Sequence, residues 1–141
     1  MSAETRLAEA LRAEHAAIYG YGPVGARLSG ASTELATRAE AAHRARRDAL
    51  VLRLAGTASP PPADPAYTLP FPVTDRAAAL RLAILLEERT GRIWRQALPE
   101  TSGADRSMAL DALVDCAVRA TRLRMASGVT PPTVVLPGAP A

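Results

Sequence analysis

The chain is poor in the residues that build most recognisable active sites. It has one cysteine (Cys116), two histidines and no lysine among 141 residues, and 4% of its residues are aromatic. A single cysteine excludes an intrachain disulfide and a Cys-rich zinc site. No uninterrupted apolar run approaches the length of a membrane-spanning helix, and no apolar segment follows the first residues. We therefore expect a cytoplasmic protein without a signal peptide or membrane anchor.

Alanine dominates what is present. It supplies 31 residues, and 48% of the chain is apolar, a composition that favours closely packed helices. A chain of 141 residues fits one domain and is too short for a barrel enzyme or a two-domain dehydrogenase. All 17 basic residues are arginine, and the net charge is a modest +3. Charge alone therefore does not assign a nucleic-acid partner.

Apolar residues recur at helical spacing in four segments that helix breakers separate. They predict helices α1 to α4 over about 2–28, 32–55, 75–98 and 105–126. The first and last joints are short, which makes the helices they connect antiparallel neighbours. Residues 56–74 are rich in proline, which prevents a helix and favours an extended crossover as long as a bundle.

This order of elements predicts an all-α fold, an antiparallel four-helix bundle of two helical hairpins joined by a Pro-rich crossover. Such connectivity is typical of ferritin-like bundles; the alternative is a generic bundle with a flexible linker. The bundle is expected over residues 1–126. Residues 127–141 are expected to form a tail that is either disordered or laid over a neighbouring surface.

Acidic and imidazole side chains interrupt the apolar faces of three helices. On a helical wheel, Glu14 fills a gap in the apolar face of α1, and Glu87 fills one in α3. Glu40 and His43 fill the gaps in α2, at an i, i+3 spacing. Burying an ionised carboxylate is costly unless it is paired or bound to a metal. Because Glu14 and His43 also lie at one level of the α1–α2 hairpin, we expect a shared site.

Several stretches of the chain carry a family resemblance: Ala13-Glu-His-Ala-Ala-Ile-Tyr-Gly-Tyr-Gly22, Ala39-Glu-Ala-Ala-His-Arg44, the Pro-rich crossover and Leu85-Leu-Glu-Glu-Arg89. Together they resemble the actinobacterial ferritin-like family of unknown function, over nearly the whole chain apart from the tail. The resemblance implies the ferritin-like fold and brings no established activity.

Ferritin-like proteins in general bind metal through a Glu, a Glu-x-x-His, another Glu and a second Glu-x-x-His on four successive helices. By position, Glu14, Glu40, His43 and Glu87 match the first three sets. Helix α4 departs from this pattern, since no histidine follows His43 and its core face carries apolar residues and Cys116. A complete di-iron ferroxidase or oxygenase site is therefore not expected, and the sequence indicates no catalytic residue.

Two hypotheses concern these polar residues. In one, the chain is a non-catalytic structural or interaction module with a degenerate metal site, and Glu14, His43 and Glu87 satisfy one another and nearby arginines or tyrosines by hydrogen bonds. In the other, Glu14, Glu40 and His43, with or without Glu87, bind one divalent ion such as Fe²⁺, Mn²⁺ or Zn²⁺.

Two surfaces suggest partners. A third hypothesis treats the arginines of α2 and α4 as a footprint for nucleic acid or another acidic partner, although carboxylates are interleaved with them: Arg44, Arg46, Arg47, Arg53, Arg119, Arg122 and Arg124. Helix α3 carries more apolar residues than one bundle core requires. We predict that a homodimer through α3 buries that excess, and cover from the crossover is the alternative; its residues are Leu82, Leu85, Leu86 and Ile93.

Overall fold

A computed structural model describes residues 1–140, and it contains four α-helices and no strand within that range. The helices are α1 Ala3–Gly25, α2 Ala31–Ala55, α3 Arg76–Ala97 and α4 Gly103–Ser127, with a 3-10 turn at Leu98–Glu100. Each helix end lies within three residues of the predicted position. The predicted all-α fold is confirmed.

Local hydrogen bonds explain where the helices begin and end. The Ser2 hydroxyl accepts a hydrogen bond from the Thr5 amide at the start of α1, at 3.1 Å. The Asp75 carboxylate does the same for the Ala78 amide at the start of α3, at 2.8 Å. Helix α4 ends at Gly128, whose φ of 74° is the left-handed conformation typical of a helix C-terminus.

Two hydrophobic clusters show how the helices are arranged. One cluster joins the start of α1 and α4 to the end of α2 and α3, and it includes Leu7, Leu11, Leu50, Leu54, Trp94 and Ala109. The other joins the opposite ends, through Tyr21, Val24, Ala36, Ala39, Leu80 and Leu123. Both hairpins are therefore antiparallel, and residues 56–75 must run the length of the bundle because α2 ends where α3 does.

The crossover packs against the bundle and contributes to its core. Leu69, Phe71 and Val73 contact the second cluster, in which Leu82 and Leu86 of α3 are buried. Leu82 and Leu86 are thus covered within the chain, Leu86 also by Gly20 of α1, while Leu85 and Ile93 are partly buried. This favours the second of the two alternatives that the sequence left open. A homodimer stays a prediction, but it no longer has exposed leucines on α3 as its basis.

The tail is laid over α3 and α4. The Arg124 guanidinium donates to the carbonyl of Pro132, and the Arg95 guanidinium donates to that of Pro137, each at 3.1 Å. Gly138 has a φ of 75°, and a Cβ there would lie 3.0 Å from the Gly91 carbonyl oxygen. Ala141, the last residue of the predicted tail, lies outside the described residues. No helix in residues 1–140 is long and apolar enough to cross a membrane.

Replacing Gly138 should therefore release the tail. We expect G138A to accelerate amide hydrogen exchange throughout residues 129–140. An alanine there would be strained in the left-handed conformation, and its methyl group would press on the backbone of α3. G128A is the matched control, since Gly128 shares the positive φ but has nothing within 4 Å of its would-be Cβ. Equal exchange in the two variants, measured by mass spectrometry, would contradict this packing of the tail.

Candidate functional site

Three of the four predicted site residues meet in the middle of the bundle. Glu14 from α1, His43 from α2 and Glu87 from α3 are each 1% exposed. The imidazole of His43 lies between the carboxylates, with Nδ1 2.5 Å from Glu14 Oε2 and Nε2 2.9 Å from Glu87 Oε1. The antiparallel hairpin brings Glu14 and His43 to one level, and the α1–α3 packing adds Glu87 from the other side.

Other side chains complete the hydrogen bonding of both carboxylates. The Trp94 indole N–H donates to Glu14 Oε1 at 2.7 Å. The Tyr21 hydroxyl donates to Glu87 Oε1 at 2.6 Å, and Arg119 Nε donates to Glu87 Oε2 at 3.1 Å. Every carboxylate oxygen therefore accepts at least one hydrogen bond from a protein group. These six residues, which come from all four helices, are called the buried cluster below.

The geometry favours a charged histidine. A neutral imidazole has one N–H, whereas both ring nitrogens of His43 face a carboxylate oxygen. Burial by itself lowers the pKa of His43, but the hydrogen bonds that His43 donates to Glu14 and Glu87, together with the charges of those carboxylates, outweigh it and raise that pKa to about 9. Burial likewise acts to raise the pKa of Glu87, yet His43, Arg119 and Tyr21 hold it below its ordinary value.

Glu40 lies outside the buried cluster. Its side chain is 32% exposed and accepts a hydrogen bond from Arg44, one turn further along α2, at 2.9 Å. A spacing of three residues places Glu40 about 60° around the helix from His43, which is enough to bring it to the edge of the bundle. The structure thus separates the two members of the Glu-x-x-His pair.

The three buried residues do not converge on a common point. Among residues 1–140, no group of three or more His, Cys, Asp or Glu side chains is arranged to hold a metal ion. The two carboxylates bond to opposite sides of the His43 ring, so a metal bound by all three would require the ring or a carboxylate to turn. Metal binding through these residues stays a prediction.

Comparison with known proteins identifies a family for the chain. A family model described as a domain of unknown function (DUF4439) matches residues 6–141. The chain belongs to the DUF4439 family. A conserved hypothetical protein, rv2844, from Mycobacterium tuberculosis is 38% identical in sequence to this chain. Its crystal structure matches with a TM-score of 0.83, and the match covers 88% of this chain and 96% of that one. No curated protein matches the sequence.

Three further members of the cluster in this DUF4439 protein were not predicted by position: the sequence led us to expect nearby arginines or tyrosines as partners without identifying Tyr21 or Arg119, and it gave no indication of Trp94. Tyr21 and Trp94 lie on the apolar faces of α1 and α3. Each carries a polar O–H or N–H group that needs a hydrogen-bond partner when it is buried, and this need could have indicated their roles. Arg119 is expected on the solvent side with Asp111 and Asp115, yet its guanidinium reaches Glu87 and its side chain is 17% exposed. A helical wheel gives the direction of a Cα–Cβ bond and not the reach of a long side chain.

Cys116 fills the position on α4 that faces Glu87. Its thiol is buried, and burial, followed by the charge of Glu87, raises its pKa well above the ordinary value. The neutral thiol lies 3.7 Å from Arg119 Nη2. An electropositive, exposed setting activates a cysteine, whereas here burial and Glu87 outweigh the nearby guanidinium.

Most arginines of the suggested nucleic-acid footprint are engaged by carboxylates. Arg44 pairs with Glu40, Arg46 with Asp115, Arg47 with Asp48, Arg53 with Asp105, Arg119 with Glu87 and Arg124 with Glu88. Of the seven, Arg122 alone forms no ion pair with any residue in 1–140. Nucleic-acid binding stays untested, and the geometry adds nothing in its favour.

The charge on His43 should make stability depend on pH. Because its folded pKa of about 9 exceeds the ordinary 6.5, its contribution is complete below pH 6.5 and is lost as pH rises toward 9. We expect the free energy of unfolding in urea to fall by about 2 kcal/mol between about pH 6 and pH 8.5. The H15Q variant, which keeps His43 as its one histidine, should show the same fall; a flat profile in both would contradict a charged His43.

Arg119 should matter far more than an exposed arginine such as Arg12. R119M removes one of two positive charges that balance two buried carboxylates, and we expect it to lower the free energy of unfolding by about 3 kcal/mol. R12M changes an exposed side chain that forms no ion pair with any residue in 1–140, so its effect should stay within about 0.5 kcal/mol. Urea unfolding at neutral pH compares them; equal effects would place Arg119 outside the energetics of the cluster.

Proposed function

We propose that this DUF4439 protein is a non-catalytic ferritin-like module, structural or interacting in role, which works in the cytoplasm as a homodimer. In this proposal the buried cluster stabilises the fold and holds no resident metal. One observation carries it: protein donors satisfy all four oxygens of Glu14 and Glu87, and both nitrogens of His43 are used in doing so.

The charge balance supports the same conclusion. With His43 protonated, two negative charges on Glu14 and Glu87 meet two positive charges on His43 and Arg119. A divalent cation would add charge to a neutral group of side chains, and it would have to displace the proton of His43 to bind nitrogen. Metal binding would therefore cost the ion pairs that His43 forms with Glu14 and Glu87.

The fourth helix supplies no replacement ligands. Where ferritin-like di-metal proteins carry a second Glu-x-x-His, α4 turns Leu113, Cys116 and Ala120 toward the core, and all three are buried. Gly91 of α3 lies so close to α4 that a Cβ on it would be 3.3 Å from the Cβ of Cys116. This close approach of α3 and α4 supports a role without a second metal.

Metal analysis tests this proposal against binding of a single ion. We expect protein purified without chelator to contain far less than one Fe, Mn or Zn ion per chain by elemental mass spectrometry. Anaerobic titration with Fe²⁺, Mn²⁺ or Zn²⁺ should likewise give no saturable binding at micromolar concentration. One ion per chain that is lost in H43N would overturn the proposal.

Two variants make that result specific. E14Q should remain metal-free and lose stability, since a neutral amide pairs poorly with the imidazolium of His43. E40A is the matched control, because Glu40 lies outside the buried cluster and pairs with Arg44. Bound metal that disappears in E40A as well as in H43N would instead support the half-site predicted from the sequence.

A further inference from the structure

Helix α4 carries a second apolar face, which points away from the bundle core. Leu110, Val114, Val118 and Met125 are 49%, 50%, 43% and 65% exposed. Their spacing puts them on one side of the helix, and together they extend over about 22 Å at 1.5 Å per residue. These four residues are called the α4 stripe below. An exposed apolar row of this length on a soluble helix indicates a contact surface.

A groove widens the stripe on one edge. It has a volume of about 500 Å³ and lies between α4, α3 and the tail. Val118 and Met125 form one wall, Val134 and Pro137 of the tail form the other, and Cys116 is among the residues at its base. Two of its charged lining residues, Glu88 and Arg124, neutralise each other in an ion pair of 2.7 Å, and Glu87 is paired with His43 and Arg119. The groove therefore offers contact mainly to apolar side chains, and Arg122 is the one charged residue of its lining that has no ion-pair partner in residues 1–140.

The other edge of the stripe carries two free charges of opposite sign. Asp111 and Arg122 are exposed, and neither forms an ion pair with any residue in 1–140. Eleven residues separate them, close to three full turns, so they lie on the same edge of α4. Their neighbours are already engaged, since Asp115 pairs with Arg46 and Arg119 with Glu87.

We propose that a second copy of this chain docks on the α4 stripe, with the two α4 helices antiparallel across a twofold axis. This inference rests on the interaction role proposed above and assigns its surface. In an antiparallel pair, side chains on one edge meet those on the same edge of the other helix. An axis beside Cys116 and Ala117 brings Asp111 against the partner's Arg122 and Arg122 against the partner's Asp111. That register also brings Val114 against the partner's Val118.

Self-complementarity is what identifies a second copy as the occupant. A twofold interface must present each feature and its complement on one surface. Asp111 and Arg122 meet this requirement, and their spacing leaves the Val114–Val118 contact between the two ion pairs. A small ligand would leave most of a 22 Å stripe uncovered, at about 1.5 Å of helix per residue. An unrelated partner would give no reason for the two charges to match each other.

Molar mass measured by light scattering tests this interface on the full chain. We expect a dimer at tens of micromolar for the wild type and a monomer for V114D/V118D, which buries like charges at the contact. L52D is the matched control, because Leu52 is an 80% exposed apolar residue on α2, and it should remain dimeric. A monomeric wild type, or a dimer that L52D abolishes and V114D/V118D does not, would overturn the proposal.

Charge reversal tests the antiparallel register. D111R and R122D should each weaken dimerisation about tenfold, because two attractive pairs become repulsive across the axis. The double variant D111R/R122D restores both pairs with exchanged signs, and its dissociation constant should return to near that of the wild type. A double variant as weak as the single ones would refute this register. Metal content is independent of these results, so the metal-free role and the dimer can fail separately.

Discussion

The imidazolium of His43 between two buried carboxylates is the interaction on which the rest of the structure depends. It lies against both Glu14 and Glu87, and a buried charge without a partner costs several kcal/mol. Arg119 supplies the second positive charge, and Tyr21 and Trp94 supply neutral donors. Since each helix contributes at least one member, the four helices must adopt one relative position to complete the cluster. We interpret the cluster as the feature that sets helix register in a core otherwise built from interchangeable alanines and leucines.

The same pairing also explains how a site that resembles a metal centre can be satisfied by protein groups, as we propose. Carboxylates and a histidine project inward from three helices in the order expected of a ferritin-like ligand set. The balancing positive charge, however, comes from protein side chains, through a proton on His43 and a guanidinium reaching in from α4. Inward-facing carboxylates of this kind can be neutralised by a bound metal ion or by protein groups. In the role proposed here, protein groups do so, with Trp94 of α3 and Arg119 of α4 among the donors. Glu87 alone accepts from Tyr21, His43 and Arg119.

Features that follow from helical periodicity could be predicted from the sequence. Features that depend on the reach of a long side chain, or on which segment covers an apolar face, could not. Helical spacing located all four helices, and the interruptions at Glu14, His43 and Glu87 identified residues that the structure brings together. Glu40 shares a helical face with His43 only approximately, and a rotation of about 60° leaves it at the surface with Arg44. Arg119 was assigned to solvent because its backbone position faces outward, whereas its long side chain turns back into the cluster. The apolar face of α3 suggested a dimer because no wheel shows that a proline-rich crossover will cover it.

A charged His43 carries a proton on each ring nitrogen in the folded protein. Nitrogen-15 NMR of the histidine side chains detects these protons at about pH 7.5, a pH above the ordinary histidine pKa of 6.5 and below the value of about 9 for His43. We expect both ring nitrogens of His43 to give protonated signals and slowly exchanging N–H protons, one donated to Glu14 and one to Glu87. A neutral ring with one bare nitrogen, or a nitrogen signal shifted by a bound metal, would contradict a charged His43.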